Sequence, residues 1–237
     1  MAYNYDKFDS AQYDLTTFRG PAPGTKAPDF TLTLPDGTPA RLLDFDTPFL
    51  VLETGSVTCP LFQGRRKAME RLDTTISDAS FTVLYVREAH PGATIGAHTS
   101  QQGKTANAQI LVGADGEKRR VLVDDLQGHA HQAYGAYPNA VFIINRNGCV
   151  LWMSDWNNAA ATARALEDLR AGRPARQRAY FKPVVPATSV RVLSHAGRGA
   201  LWDFLRSLPS LIWHNLILRN IRLLRGKTAS VPPDAAC

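Results

Sequence analysis

Phe49-Leu50-Val51-Leu52-Glu53-Thr54-Gly55-Ser56-Val57-Thr58-Cys59-Pro60-Leu61-Phe62 decides how this chain is read. Its first half is a short apolar run of the kind that makes a buried strand. Gly55 breaks the strand, and small polar residues carry the chain into a turn. Pro60 stands at the first helical position, where its missing N–H would have had no intrahelical partner. Phe62, Met69 and Leu72 then recur on one face, with Arg65, Arg66, Lys67, Glu70 and Arg71 interspersed, which predicts a helix. Cys59 therefore falls at the N-cap, with free backbone N–H groups and the positive end of the helix dipole directed at its sulfur. This placement predicts a thiolate, because a cysteine pKa of about 8.5 drops by roughly two units at such sites. Ser56 and Thr58 offer hydroxyl donors to the anion. The competing reading makes Cys59 a small buried hydrophobe; the order strand, turn, Cys, Pro favours a nucleophile.

Upstream, residues 1–24 read as a polar and aromatic arm closed by Pro21-Ala22-Pro23-Gly24. Ala27-Pro28-Asp29-Phe30-Thr31-Leu32-Thr33-Leu34 alternates, turns at Pro35-Asp36-Gly37 and resumes at Ala40-Arg41-Leu42-Leu43, a hairpin. Downstream, Phe81-Thr82-Val83-Leu84-Tyr85-Val86 is a second buried strand. Strand, helix and strand in this order imply parallel pairing with a right-handed crossover. Residues 99–112 read as a helix, Val121-Leu122-Val123 as a short strand and 127–134 as a helical turn. Val141-Phe142-Ile143-Ile144 turns at Asn145-Arg146-Asn147-Gly148 into Cys149-Val150-Leu151-Trp152-Met153, a second hairpin, and Ala-rich 158–171 is a helix. Pro138 stands where a cis proline would lie against the nucleophile, although the sequence does not fix its isomer. An α/β domain over residues 25–171 follows.

The net charge of +6 is unevenly distributed: residues 1–169 balance to −4 and residues 170–237 to +10. Residues 172–197, rich in Pro, Gly and Arg, read as a linker or surface-hugging segment. Residues 198–237 read as a basic amphipathic helical tail, with Pro209 starting a new helix. Ile212, Trp213, Leu216, Ile217, Leu223 and Leu224 share one arc, and His214, Arg219, Arg222 and Arg225 fall largely opposite. Such a tail suits docking on the domain, a homodimer through the C-terminal helices, or peripheral contact with an anionic membrane. No reading motif accompanies the charge, which argues against nucleic acid. The first residues lack the pattern of a signal peptide, and no apolar run reaches the roughly 20 residues of a spanning helix. Three widely spaced cysteines give no disulfide framework, so the expected setting is the reducing cytoplasm. Cys149 is read as a buried strand residue and Cys237 as lying on a flexible end. His129-Ala130-His131 has no third ligand in view, so no metal site is assigned.

The Ala-Pro-Asp-Phe-Thr-Leu hairpin and the Thr-Cys-Pro turn resemble the redoxin branch of the thioredoxin fold. Three further segments resemble the iodothyronine deiodinase family: Gly55-Ser56-Val57-Thr58-Cys59-Pro60, with cysteine where that family usually has selenocysteine; Tyr85-Val86-Arg87-Glu88-Ala89-His90-Pro91; and Ala133-Tyr134-Gly135-Ala136-Tyr137. The resemblance covers about residues 25–170. It implies a thioredoxin-like α/β fold, a central mixed sheet flanked by helices, with an N-terminal hairpin and the basic helical extension. It implies Cys59 as the nucleophile that takes halogen from an aromatic ring, with Ser56, Glu88, His90 and His98 as the proton-relay and orienting set. Thr58, Pro60, Tyr85, Tyr137, Pro138 and Trp156 are then expected around the bound ring. The sequence also departs from the family: Val57 replaces a frequent cysteine, and nothing in the first residues resembles the membrane anchor at the family's amino end, so none is expected. Ser154-Asp155-Trp156-Asn157-Asn158 replaces a glycine-rich turn whose arginine helps hold the iodothyronine.

Independently of the family, reductive dehalogenation needs a soft nucleophile and a proton for the ring carbon. Glu88 beside His90 is expected to raise that histidine's pKa and make it the acid. Phe62 stands where a Cys-x-x-Cys motif has its second sulfur, so the reductant is expected to be an external thiol or thioredoxin, with no bound cofactor. Two alternatives stay open. A one-cysteine peroxiredoxin-like peroxidase needs an arginine near the sulfur, with Arg65 or Arg146 as candidates; a non-enzymatic redox sensor or scaffold needs only an oxidisable Cys59. An aromatic-sized slot lined by His90 and Trp156 favours the halogenated ring, and a narrow cup with an arginine favours peroxide.

Overall fold

Residues 3–237 are described by a computed structural model; Met1 and Ala2, the start of the expected arm, lie outside them. Strands β1 (Thr31–Thr33), β2 (Pro39–Arg41), β3 (Phe49–Gly55), β4 (Ala79–Tyr85), β5 (Arg120–Val123), β6 (Val141–Asn145) and β7 (Val150–Ser154) form one sheet in the order β2-β1-β5-β4-β3-β6-β7. β3, β4 and β5 run parallel, whereas the β1–β2 and β6–β7 hairpins pair antiparallel on either side. Helix α1 (Pro60–Thr75) joins β3 to β4, and α2 (Gln101–Val112) leads into β5; α3 (His129–Ala133) and α4 (Ala159–Arg170) complete the domain. This is the thioredoxin-like α/β arrangement with its N-terminal hairpin.

β3 is the centre because both its faces are covered. Leu50 and Leu52 pack in a core with Leu15 of the arm, and Phe49 and Val51 pack with α1 and α4 through Met69 and Leu166. A strand buried on both sides reads as a continuous apolar run, as it does here until Glu53. The arm crosses the first of these faces. Arg87 stacks its guanidinium on the rings of Tyr3, Tyr5 and Tyr13 at 4.8–5.1 Å, and the Tyr5 hydroxyl donates to the Ala89 carbonyl at 2.9 Å.

The C-terminal third departs from its sequence reading in three ways. The segment read as a linker contains helix α5 (Pro186–Ala196). Pro209 does not start a helix; it lies inside α6 (Ala200–Leu211), which continues through a wider π-helical stretch (Ile212–Arg219) into α7 (Asn220–Arg225). Proline removes a helix donor and crowds the preceding turn, and the widened turns follow directly after it. Trp202, Trp213 and Leu224 on this rod are 60%, 53% and 62% exposed.

The third departure concerns the cysteines. Cys149 and Cys237 are joined by a disulfide, with Cα atoms 5.2 Å apart, so the cysteine count no longer argues for a reducing compartment. The chain end is brought there by β6 and its turn: Asn145 Nδ2 donates to the carbonyls of Pro233 and Ala235 at 2.9 and 2.8 Å. Among the described residues no helix is long and apolar enough to cross a membrane.

Candidate functional site

Cys59 ends the β3–α1 turn as the N-cap of α1, in extended backbone conformation, with Pro60 first in the helix. Below it, the end of β3 holds a charge inside the core. Glu53 Oε1 accepts from Asn139 Nδ2 at 2.7 Å and Asn157 Nδ2 at 2.6 Å, and Oε2 accepts from Arg119 Nη1 at 2.6 Å. Asn139 in turn accepts from Arg65 Nη1 at 3.3 Å. This network fixes the loops that follow β3, precede β6 and follow β7, the three segments that bring Cys59, Pro138 and Trp156 together. One signal for it was visible: a lone carboxylate in an apolar strand needs buried partners.

The expected relay residues separate into two groups. Cys59 and His90 both line one cavity of about 350 Å³, together with Pro60, Pro138 and Trp156. Ser56, Thr58, Tyr85, Glu88, His98 and Tyr137 do not line it; they lie behind. Glu88 is a fully buried hub: Oε2 accepts from Thr58 N at 2.9 Å and Thr58 Oγ1 at 2.6 Å, Oε1 accepts from the Tyr85 hydroxyl, and His98 Nε2 lies 3.4 Å from Oε1. Thr58 Oγ1 also accepts from the His90 backbone N–H at 3.1 Å, which ties the His90 strand end to the Cys59 turn. Ser56 is not at the sulfur; its hydroxyl accepts from Ala89 N at 3.3 Å, bracing the same two strand ends. Tyr137 supports Trp156 with ring centroids 5.0 Å apart, and its hydroxyl donates to the Asp14 carbonyl. All peptide bonds among the described residues are trans, Pro138 included. His131 is occupied by the Tyr3 hydroxyl at 2.8 Å and the Tyr137 carbonyl at 2.9 Å.

More than half of the cavity wall comes from residues with no motif. Phe8, Tyr13 and Leu15 reach it from the arm; Phe181, α5, α6 and the π-helical stretch supply the side facing the sheet. The rod is anchored beside Trp156, where Arg219 Nε donates to Asp155 at 2.8 Å and Asn215 Oδ1 accepts from Trp156 Nε1 at 2.8 Å. The sequence placed an amphipathic helix here, but not the surface it would meet.

Burial reverses both electrostatic expectations. Cys59 is only 2% exposed, and burial pushes its thiol up to about 12. The backbone N–H groups of Phe62 and Leu61 and the charge of Arg65 pull the other way and lose; neither N–H closes a side-chain cap bond to the sulfur. The resting group is a thiol, not the expected thiolate. His90 is likewise pushed down to about 3 by burial, which outweighs the Glu88 charge. Its ring packs 4.1 Å from Phe8 and 5.5 Å from Phe204, and its Nδ1 has no partner. For Glu88, burial alone would raise the carboxyl, but hydrogen bonds and charge from His98, with Thr58 and Tyr85, hold it below its usual range.

The His90 shift gives a stability prediction. Between about pH 6.5 and 3 the unfolded chain binds a proton that the folded chain does not, so stability falls as pH drops through that window. The contribution over the whole window is on the order of 5 kcal/mol. Urea titrations of the native chain and of His90→Phe at pH 7 and 4 are expected to show a clearly smaller acid loss in the variant. An equal loss in both would contradict the assignment.

The sequence matches the family described as Iodothyronine deiodinase over residues 5–157. Thyroxine 5-deiodinase of Rattus norvegicus is 32% identical over 152 residues, covering 58% of this chain and 49% of that protein. The Homo sapiens protein of the same description is 31% identical over 153 residues, with the same coverage. The chain spans about half the length of these curated relatives. Among solved structures, an uncharacterized conserved protein from Geobacillus kaustophilus is similar at a TM-score of 0.52 and 21% identity, covering 72% of this chain and 96% of that one.

Proposed function

The chain belongs to the iodothyronine deiodinase family, and on that premise we propose that it is a thiol-dependent oxidoreductase that reductively dehalogenates an aromatic ring at Cys59. The observation that carries this reading is that Cys59 and His90, alone of the expected relay, open onto one ring-sized apolar cavity walled by Trp156.

Both shifts oppose a resting thiolate–imidazolium pair, so the thiol proton passes to the neutral His90 imidazole only in concert with attack of the sulfur on the halogen. The sulfur attacks the halogen, the carbon–halogen bond breaks toward carbon, and His90 returns the proton to that ring carbon. Thiol plus aryl halide thus becomes arene plus a Cys59 sulfenyl halide. One external thiol displaces halide to give a mixed disulfide, and a second releases the Cys59 thiol, so two thiols are oxidised for one carbon–halogen bond reduced. Glu88, Thr58 and Ser56 act as positioning residues that hold the two strand ends in register.

The peroxide alternative finds less support. Arg146 donates to the Asp46 carbonyl near the Phe49 end of β3, the opposite end from Cys59, and Arg65 is occupied by Asn139 and the Lys182 carbonyl. Among the described residues, no arginine lines the wall itself. Halide release from ortho-iodo-para-cresol and peroxide consumption, each with dithiothreitol, are expected to differ by at least about tenfold in favour of the first. The reverse order would replace this reading with the peroxidase, and background values in both would leave only the sensor.

A further inference from the structure

Among the described residues, none that lines the cavity over Cys59 is charged. The guanidinium groups that come near it are already committed. Arg219 is paired with Asp155, and Arg65 donates to Asn139 and Lys182. Of the polar wall residues, the Tyr13 hydroxyl meets that of Tyr5 at 2.5 Å and Asn215 Oδ1 is held by Trp156. What remains for a ligand are neutral groups: the His90 imidazole, the Ser189 hydroxyl and the Asn215 side-chain NH2. The mouth is also apolar: Val190, Leu205, Ile212 and Leu216 line the cavity while remaining 51%, 45%, 43% and 39% exposed. A ligand that reaches Cys59 must therefore pass between α5 and the α6 rod through aliphatic side chains.

From this geometry we propose that the site takes an uncharged, hydrophobic halogenated ring compound and excludes one bearing an amino-acid head, and that the C-terminal helices set this preference. The proposal rests on the reading of Cys59 as a dehalogenating centre and narrows its substrate class. A carboxylate or ammonium group drawn into this wall loses its water and finds no counter-charge, whereas a neutral ring loses nothing comparable. The volume of about 350 Å³ lies in the lower range of small-molecule pockets, which suits one or two rings.

The test compares matched ligands on the full-length chain by isothermal titration calorimetry at pH 7. Ortho-iodo-para-cresol and monoiodotyrosine share one iodophenol ring and differ in the charged head. The cresol is expected to bind at least about tenfold more tightly. Leu205→Arg places a cation at the exposed rim, where folding tolerates it; affinity for hydroxy-iodophenylpropionate, which carries only a carboxylate, is expected to rise at least about tenfold. Equal or tighter binding of monoiodotyrosine, no binding of the cresol, or no response to Leu205→Arg would each overturn the proposal. Iodide release is read separately. Tight cresol binding without release defeats the dehalogenation chemistry and leaves the binding preference standing. Release from monoiodotyrosine at least as fast as from the cresol does the opposite.

Discussion

Replacing Cys59 by serine is expected to lower iodide release from ortho-iodo-para-cresol by at least about a thousandfold, equivalent to roughly 4 kcal/mol of transition-state stabilisation. A hydroxyl is a harder and less polarisable nucleophile than sulfur and stays protonated far above neutral pH, so it cannot accept a halogen at a useful rate. The substitution removes little volume at a site that is 2% exposed, and no side-chain hydrogen bond is lost with it. The fold and cresol binding should therefore persist, and circular dichroism with calorimetry on the variant checks this. Release that survives in the serine variant would move the chemistry elsewhere; the remaining two cysteines, Cys149 and Cys237, are joined to each other.

A second large effect is expected from pH. With the thiol pushed up to about 12, alkylation of Cys59 by iodoacetamide should accelerate about tenfold per pH unit between pH 8 and 11, about a thousandfold in all. A plateau near pH 9 would mean an ordinary thiol, and a fast, flat rate from pH 6 upward would mean the thiolate that the helix position alone suggests. Stability carries the same signature. Between about 9 and 12 the unfolded chain gives up the Cys59 proton while the folded chain keeps it, so folding stability declines as pH rises through that window. The loss attributable to this group is about 1.4 kcal/mol per pH unit. It should be absent from Cys59→Ser, whose stability is compared with the native chain at pH 8 and 10.5.

These expectations show where sequence is informative and where it stops. β3, the Thr58-Cys59-Pro60 turn and α1 were legible because period, turn chemistry and a proline at the first helical position are local. The hairpin turns at Pro35-Asp36-Gly37 and Asn145-Arg146-Asn147-Gly148 were legible for the same reason. The protonation state of Cys59 was not. Its helix-dipole contribution is written within a few residues, but its desolvation is tertiary: Cys59 packs with Phe62, Val83, Tyr85 and Ala89, and Leu201, Phe204 and Ile212, more than a hundred positions downstream, wall the cavity it faces. From sequence, Glu88 is the partner expected to raise the His90 pKa, yet its charge is spent on Thr58, Tyr85 and His98 and His90 is pushed down by burial. Pro209 misled because a proline marks a helix start more often than an interior position, and only packing decides between them.

The bond between Cys149 and Cys237 has a mechanical consequence for the cavity. The chain over Cys59 leaves the domain near Ala179 and its end is fastened again at Cys149, just before β7, so it is a bail held at both ends and not a hanging flap. Swinging it aside would have to undock or stretch the non-helical segment 226–237 that leads to the disulfide; bowing it outward between the two fastenings does not. On the proposed chemistry, a thiol that regenerates Cys59 is also a reagent that can reduce this disulfide, so the second fastening is expected to depend on the redox poise of the assay medium.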